Sequence, residues 1–478
     1  MVKTKLISFE IGQGPKEEEG LMGRISKLFG GKTDNNMASL GSNEQLRKLL
    51  KNDQAGEPVT IEEWGTAGAP IAKKMLQMLA ESKELEKVIK EMLPSNWRIK
   101  ELKIAGSFSH YYSEPKSLTT SPDGKYLLVT DRYANLNIIE LEPYLKTRIK
   151  GEEKWAYKEL NAGSRYGEYV NGLGATTFSP DGKYLYINNG KHKITMVELD
   201  RFMSSRTDEE RAGALRTIIV GGDGEDTYHA LTGSPDGKYL YAGSYAGDIY
   251  RIDLMALLKA TNEEGKNNSV ETITARASGH TRETESLWVT KDGQRLVSSN
   301  RDGTIKIIDP VAILKATSKE EEKNAVITID VNARGELNYC TVCVASPDEK
   351  ALYASSESAK IKMIELETIL KGANKEDPKQ VIRTIDPKTK RYFVTSLALS
   401  PDQKYLFAGL ADGGFKIIEI ESYLKAKTPK EEAKAIRTIK AKEGGHKGRI
   451  DKLTTTPDGK YLVTGSGQLN IWEIVRED

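Results

Sequence analysis

Short apolar runs separated by polar positions recur in a fixed order along most of the chain. In residues 396–418 an apolar run leads into a polar corner, a run that begins with aromatic residues follows, and a Gly-containing turn leads to a third run. A fourth run, Ile436–Ile439, comes after a longer connection. Period-two alternation and Asp-Gly turns predict β-strands joined as hairpins. Each unit is therefore predicted to contain four antiparallel strands.

The polar corner marks the repeat. Ser/Thr-Pro-Asp begins at Ser121, Ser179, Ser234, Ser346, Ser400 and Thr456, and Thr290-Lys291-Asp292-Gly293 is a degenerate copy. Successive copies lie 54 to 58 residues apart, which gives seven units. A fixed period of this length indicates a propeller or a solenoid, because one unit cannot bury its own apolar face. Seven four-stranded antiparallel units predict an all-β fold, a seven-bladed β-propeller.

These residues resemble two families of propeller repeats. The corner followed by Tyr-Leu-Tyr resembles bacterial repeats of the YVTN type. Three short motifs resemble WD repeats: Gly279-His280, Asp302-Gly303-Thr304-Ile305 and Ile471-Trp472-Glu473. The resemblance covers roughly residues 97–478. It implies a rigid binding platform, since most relatives serve as platforms and a minority are lactonases or other enzymes.

The ends of the repeat region predict how the ring closes. The last copy stops after its third strand, near Ile474. Residues 97–105 are predicted to form a strand and resemble the fourth strands of the other units. We therefore expect 97–105 to complete the last blade and remove two open sheet edges. The predicted domains are an N-terminal extension, 1–96, and a propeller, 97–478.

The N-terminal extension does not carry the repeat. A helix over 70–93 is predicted, because Pro70 suits a first helical turn, Pro94 follows the end, and apolar residues form a stripe that includes Met75 and Met78. Residues 21–29 form a shorter, basic amphipathic segment, and contact with a membrane surface is the alternative to packing on protein. The extension is otherwise expected to be partly flexible. The 70–93 helix either packs on the propeller or docks a partner.

Six copies carry an insertion between the third and fourth strands. Each has apolar residues three and four apart, as in Leu254–Lys259, and a tail rich in Lys and Glu, such as 318–323. The spacing predicts one or two helical turns per blade with the apolar side inward. The charged tails are interpreted as solvated loops.

Composition narrows the classes of function. The chain has 478 residues, with 71 basic against 69 acidic ones, so a nucleic-acid-coating protein is not expected. Its two cysteines form no disulfide framework, and no apolar run is long enough for a membrane span or a secretion signal. A cytoplasmic protein without a cofactor is the expectation.

The loops from each fourth strand into the next blade are rich in Tyr, Arg and His, residue types that dominate binding hot spots. We predict that they form one face and bind a protein or peptide partner of acidic character. The candidate residues are His110, Tyr111, Tyr112, Arg165, Tyr166, Tyr169, Tyr228, His229, Arg282, Arg334, Arg391, Tyr392 and Arg449. For His280 and His446 a structural role within the blade, as in WD repeats, is favoured.

Motifs for catalysis are missing from the sequence. Cys340 and Cys343 have redox or metal spacing, but they fall in a predicted strand and no second pair exists, so a structural role is favoured. A lactonase-type hydrolase with a channel metal is the alternative, with Asp226, His229, Glu283 and Glu285 as candidate ligands. A third alternative is a structural subunit of a larger assembly, which would use the rims of the propeller for lateral contacts. The prediction is a non-enzymatic scaffold.

Overall fold

The computed structural model describes residues 98–108, 115–131, 135–146, 157–161, 175–188, 193–219, 228–260, 262, 264–265, 268–273, 282–331, 340–356, 359–371, 382–389, 392–441 and 446–477. The helices predicted over 21–29 and 70–93 lie outside these residues. The domain boundary predicted at residue 96 lies there too, and it stays a prediction.

The described strands form seven antiparallel sheets of four strands, which we number as blades in chain order. Blade one contains β2 (Pro115–Thr120), β3 (Tyr126–Asp131), β4 (Asn135–Glu140) and β5 (Tyr157–Asn161). Blade two contains β6 (Thr176–Phe178), β7 (Tyr184–Asn188), β8 (Lys193–Glu198) and β9 (Leu215–Ile219). Blade three contains β10 (Tyr228–Gly233), β11 (Tyr239–Ser244), β12 (Ile249–Asp253) and β13 (Val270–Ile273). Blade four contains β14 (Thr284–Val289), β15 (Leu296–Asn300), β16 (Thr304–Ile308) and β17 (Val326–Asp330). Blade five contains β18 (Cys340–Ala345), β19 (Ala351–Ser356), β20 (Ile361–Glu365) and β21 (Ile382–Ile385). Blade six contains β22 (Val394–Leu399), β23 (Tyr405–Leu410), β24 (Phe415–Glu419) and β25 (Ile436–Ile439).

Blade seven joins strands from both ends of the described chain. It consists of β26 (Lys452–Thr455), β27 (Tyr461–Gly465), β28 (Leu469–Glu477) and β1 (Arg98–Phe108), and β1 is hydrogen-bonded to β28. The first strands of successive blades contact one another from β2 through β6, β10, β14, β18 and β22 to β26, and β26 contacts β2 again. This closed order is a seven-bladed propeller, as predicted from the repeat.

The Ser-Pro-Asp corner is a hydrogen-bonded unit. In blade three the Ser234 hydroxyl donates to Asp236 at 2.6 Å and accepts from the Tyr239 N–H at 2.9 Å. Gly237 completes the corner with φ +69°, a conformation that costs glycine nothing. The degenerate copy works in the same way, because Thr290 accepts from the Arg295 N–H at 2.9 Å. The corner fixes where each second strand begins.

The core lies between blades, since each of the apolar clusters described joins two neighbours. Leu128 and Ile138 of blade one pack with Leu185 of blade two, for example. Between blades six and seven the rings of Phe415 and Trp472 meet edge to face, with centroids 5.3 Å apart. A blade therefore buries its apolar faces only when both neighbours are present.

The insertions form short helices, as predicted, on the side of the disc that carries the Ser-Pro-Asp corners. One follows the third strand in each of blades one to six: α1 (Leu141–Lys146), α2 (Leu199–Ser204), α4 (Leu254–Lys259), α5 (Pro310–Lys315), α7 (Leu366–Leu370) and α8 (Ile420–Lys425). Their first and fourth residues are buried, for example Leu254 and Leu257.

The interpretation of the charged tails as loops was wrong in three blades. The tails form α3 (Asp208–Gly213), α6 (Lys319–Asn324) and α9 (Pro429–Lys434). Each follows a Ser or Thr whose side chain accepts from the backbone N–H three residues on; at Thr207 that N–H belongs to Glu210, 3.2 Å away. The sequence pattern Ser/Thr-x-x-Glu marks this cap. No residue of these three helices is buried, so the tails are solvated as expected.

Candidate functional site

Strand direction decides which connections share a face. Because all strands in a blade are antiparallel, the connection from a fourth strand to the next first strand lies on the same side as the turn between second and third strands. We call this side the loop face. Its described parts include the turns 245–248, 301–303, 411–414 and 466–468, and the approaches 282–283, 392–393 and 446–451.

Eight of the predicted partner-binding residues lie outside the described residues. They are His110, Tyr111, Tyr112, Arg165, Tyr166, Tyr169, Arg334 and Arg391. Five are described: Tyr228, His229, Arg282, Tyr392 and Arg449.

Tyr228 is not a surface residue, and its assignment to partner binding was wrong. The side chain is 0% exposed and belongs to the apolar cluster between blades two and three. Its ring meets that of Tyr250 edge to face, with centroids 5.6 Å apart. Tyr228 begins β10, and a β-bulge follows it, so the side chain enters the core instead of facing the loop.

His229 occupies the bulge and lies at the surface beside an aromatic residue that sequence reasoning missed. Its ring is 5.5 Å from that of Tyr245, tilted by 51°. Tyr245 is in the turn after β11 and is 56% exposed. An aromatic residue at a turn position is the feature of the sequence that could have identified it.

A second aromatic group lies where the chain enters blade six. Tyr392, a predicted site residue, is 46% exposed, and the adjacent Phe393 is 48% exposed. Phe393 lies just before β22, which begins at Val394. Tyr245, Tyr392 and Phe393 therefore present apolar area on the loop face.

Charged groups between these aromatic residues are largely paired. Arg301, in the turn before β16, binds Glu285 at 2.6 Å and Glu283 at 3.5 Å. Arg449 binds Asp451 at 3.1 Å. Arg282 is exposed next to Glu283. The face thus carries guanidinium groups that are held in place by carboxylates.

Charges on the first strands act across the centre of the ring. Lys452 of blade seven is half-buried, and burial lowers the pKa of its ammonium group. The carboxylate of Glu285, in blade four, opposes that shift of the pKa, while Lys116 of blade one adds to it. Blades four and seven are not neighbours, so these groups face one central channel.

The candidate channel metal site gains no support from the described residues. Within them, no three His, Cys, Asp or Glu side chains are placed to hold a metal ion. Glu283 and Glu285 are paired with Arg301, and Asp226 lies outside the described residues. Cys343 is half-buried against the cluster between blades four and five.

His446 is structural, as favoured from the sequence. It is 1% exposed, and its Nε2 lies 2.7 Å from the Thr464 hydroxyl, which also accepts from the indole of Trp472 at 2.9 Å. Burial lowers the pKa of His446 to about 4, so the ring is neutral at pH 7. This His-Thr-Trp network ties the loop before blade seven to its second and third strands. His280 lies outside the described residues.

The fold is a β-propeller, and its loop face carries exposed aromatic side chains and paired guanidinium groups. Comparison with protein families gives two matches to the family described as WD domain, G-beta repeat, at residues 271–309 and 379–419. These two regions, in blades three and four and in blades five and six, are therefore similar to WD40 repeats. A search of curated proteins gave no match to it. Within the described residues, no helix is long and apolar enough to cross a membrane.

Proposed function

We propose that the protein is a non-enzymatic scaffold that binds a protein or peptide partner on the loop face. The observation that carries this proposal is the exposure of Tyr245, Tyr392 and Phe393, three large apolar side chains on one side of the disc. Aromatic and arginine side chains supply large contact area with few rotatable bonds, and they dominate binding energies at interfaces. WD40 proteins typically act as scaffolds for protein interactions, which agrees with this surface.

Two features of the partner extend the proposal. The acidic character expected of it depends on arginines of the loop face, among them Arg282, Arg301 and Arg449. A cytoplasmic location is also part of the proposal.

The test compares the full-length protein with a Tyr245→Ala/Tyr392→Ala/Phe393→Ala variant in quantitative affinity capture. Its matched control replaces three exposed residues of insertion helices on the opposite side, Lys146, Glu421 and Lys425, by alanine. We expect a prey that is retained by the control and reduced about tenfold or more by the loop-face variant. A set of preys identical for all three proteins would refute the assignment of binding to this face.

A further inference from the structure

The insertion helices allow comparison of equivalent positions within one chain. The second residue is acidic in four of them: Glu142, Asp200, Glu367 and Glu421. In three helices this glutamate forms an ion pair with the lysine four residues on, as Glu142 does with Lys146 at 2.6 Å. An acid in the first turn also suits the helix dipole. The repeat thus has a solvated, charge-paired pattern at this position.

Blades three and four depart from that pattern together. The second and third residues are Met255-Ala256 in α4 and Val311-Ala312 in α5, and all four are exposed. Met255 is 54% and Val311 50% exposed. No demand of the fold explains the apolar residues, because the buried positions of both helices are the same as in the other blades.

Leu258 enlarges the apolar area. It is 42% exposed, whereas its counterparts in the other blades are half-buried and pack on their cores: Leu145, Met203, Leu314, Leu370 and Leu424. The helix α5 packs against β13 of blade three, so the two insertions are neighbours. Met255, Ala256, Leu258, Val311 and Ala312 make up what we call the rim patch.

The charges at the rim patch indicate the kind of partner. Lys259 and Lys315 are exposed, and neither has an ion pair among the described residues, because the acid four residues before each is replaced by Met255 or Val311. Carboxylates cap both helices: Asp253 accepts from the Ala256 N–H at 2.8 Å, and Asp309 accepts from the Ala312 N–H at 2.9 Å. The patch is therefore apolar and bordered by unpaired ammonium groups.

We infer that the rim patch is a second docking surface, separate from the loop face, for an amphipathic segment of a partner protein that combines an apolar stripe with acidic residues. The apolar stripe would cover Met255, Leu258 and Val311, and its carboxylates would pair with Lys259 and Lys315. Carboxylates of the partner segment would thus take the place of the glutamate that pairs with the equivalent lysine in blades one, five and six.

The repeat itself provides the test variant. Met255→Glu/Val311→Glu restores the pattern of blades one, five and six, so we expect its unfolding midpoint to stay unchanged or rise. The matched control, Thr368→Glu/Ser422→Glu, adds the same two charges to the insertion helices of blades five and six. All proteins are used at full length.

A displayed library of short helical peptides is first cleared of peptides that bind the Met255→Glu/Val311→Glu variant. The remaining peptides are then selected for binding to the unaltered protein. We expect enrichment of peptides with an apolar stripe and net negative charge, which bind the control normally and the variant about tenfold more weakly. No enrichment, or enriched peptides without acidic residues, would overturn the proposal. A photocrosslinker at position 255 that joins residues 1–97 or a second copy would overturn it as well.

Discussion

Acid should weaken blade seven through one buried histidine. The His446 ring is enclosed between the loop before β26 and the strands β27 and β28, and among the described atoms its Nδ1 has no hydrogen-bond partner. A proton on that nitrogen would create a buried cation without an acceptor. Lowering the pH from 7.5 to 5 is therefore the perturbation of choice.

The magnitude follows from the two protonation equilibria. Burial lowers the pKa of His446 from 6.5 to about 4 in the folded state. The unfolded chain binds the proton more readily, so the stabilising contribution is complete above pH 6.5 and is lost as the pH falls toward 4. At pH 5 the difference amounts to about 2 kcal/mol of unfolding free energy.

The assay is urea unfolding followed by tryptophan fluorescence at several pH values, for the unaltered protein and for His446→Gln. Glutamine can keep a hydrogen bond to Thr464 but does not titrate. We expect the two stability profiles to diverge by about 2 kcal/mol between pH 7.5 and pH 5, the unaltered protein losing more. Parallel profiles would refute the claim that His446 is held neutral by burial.

Two further predictions concern backbone constraints. Gly413→Ala should destabilise the protein by about 3 kcal/mol or more, because Gly413 has φ +85° and a Cβ there would collide with the His446 carbonyl oxygen. Gly293→Ala should cost only about 1 kcal/mol, because Gly293 has φ +71° but no atom lies within 4 Å of its added Cβ. Equal unfolding midpoints for the two variants would contradict this. Deletion of residues 98–105 should lower the melting temperature by about 5 °C or more, since it exposes the edge of β28, and an unchanged thermal transition would count against closure by β1.

The repeat made the fold predictable because its corner has the same chemistry in each copy. A Ser or Thr, an Asp two residues on and the following backbone N–H groups are all local, so their spacing is visible in sequence, even in the degenerate copy at Thr290. The strands between corners then follow from alternation. The helices α3, α6 and α9 were missed because their charged composition was given more importance than the caps at Thr207, Ser318 and Thr428.

The site was less predictable, because single-residue irregularities decide which side chains reach the surface. A bulge after Tyr228 separates a core tyrosine from its half-buried neighbour His229, and sequence alternation does not reveal it. Tyr245 and Phe393 lie at strand ends, where a shift of one residue changes burial. Ion pairs such as Arg301 with Glu285 depend on the strand register, which brings residues together from different elements.

The pairing of β1 with β28 has a consequence for the order in which the protein folds. Hairpins within blades one to six join neighbouring strands and can form as soon as those strands exist. The pairing of β1 with β28 joins the two ends of the described chain, so its loop-closure entropy is the largest of any strand pair. During synthesis β1 emerges before the other described strands and must wait for β28. Ring closure is therefore the slow, late event, and until it occurs two unpaired sheet edges are available to other chains.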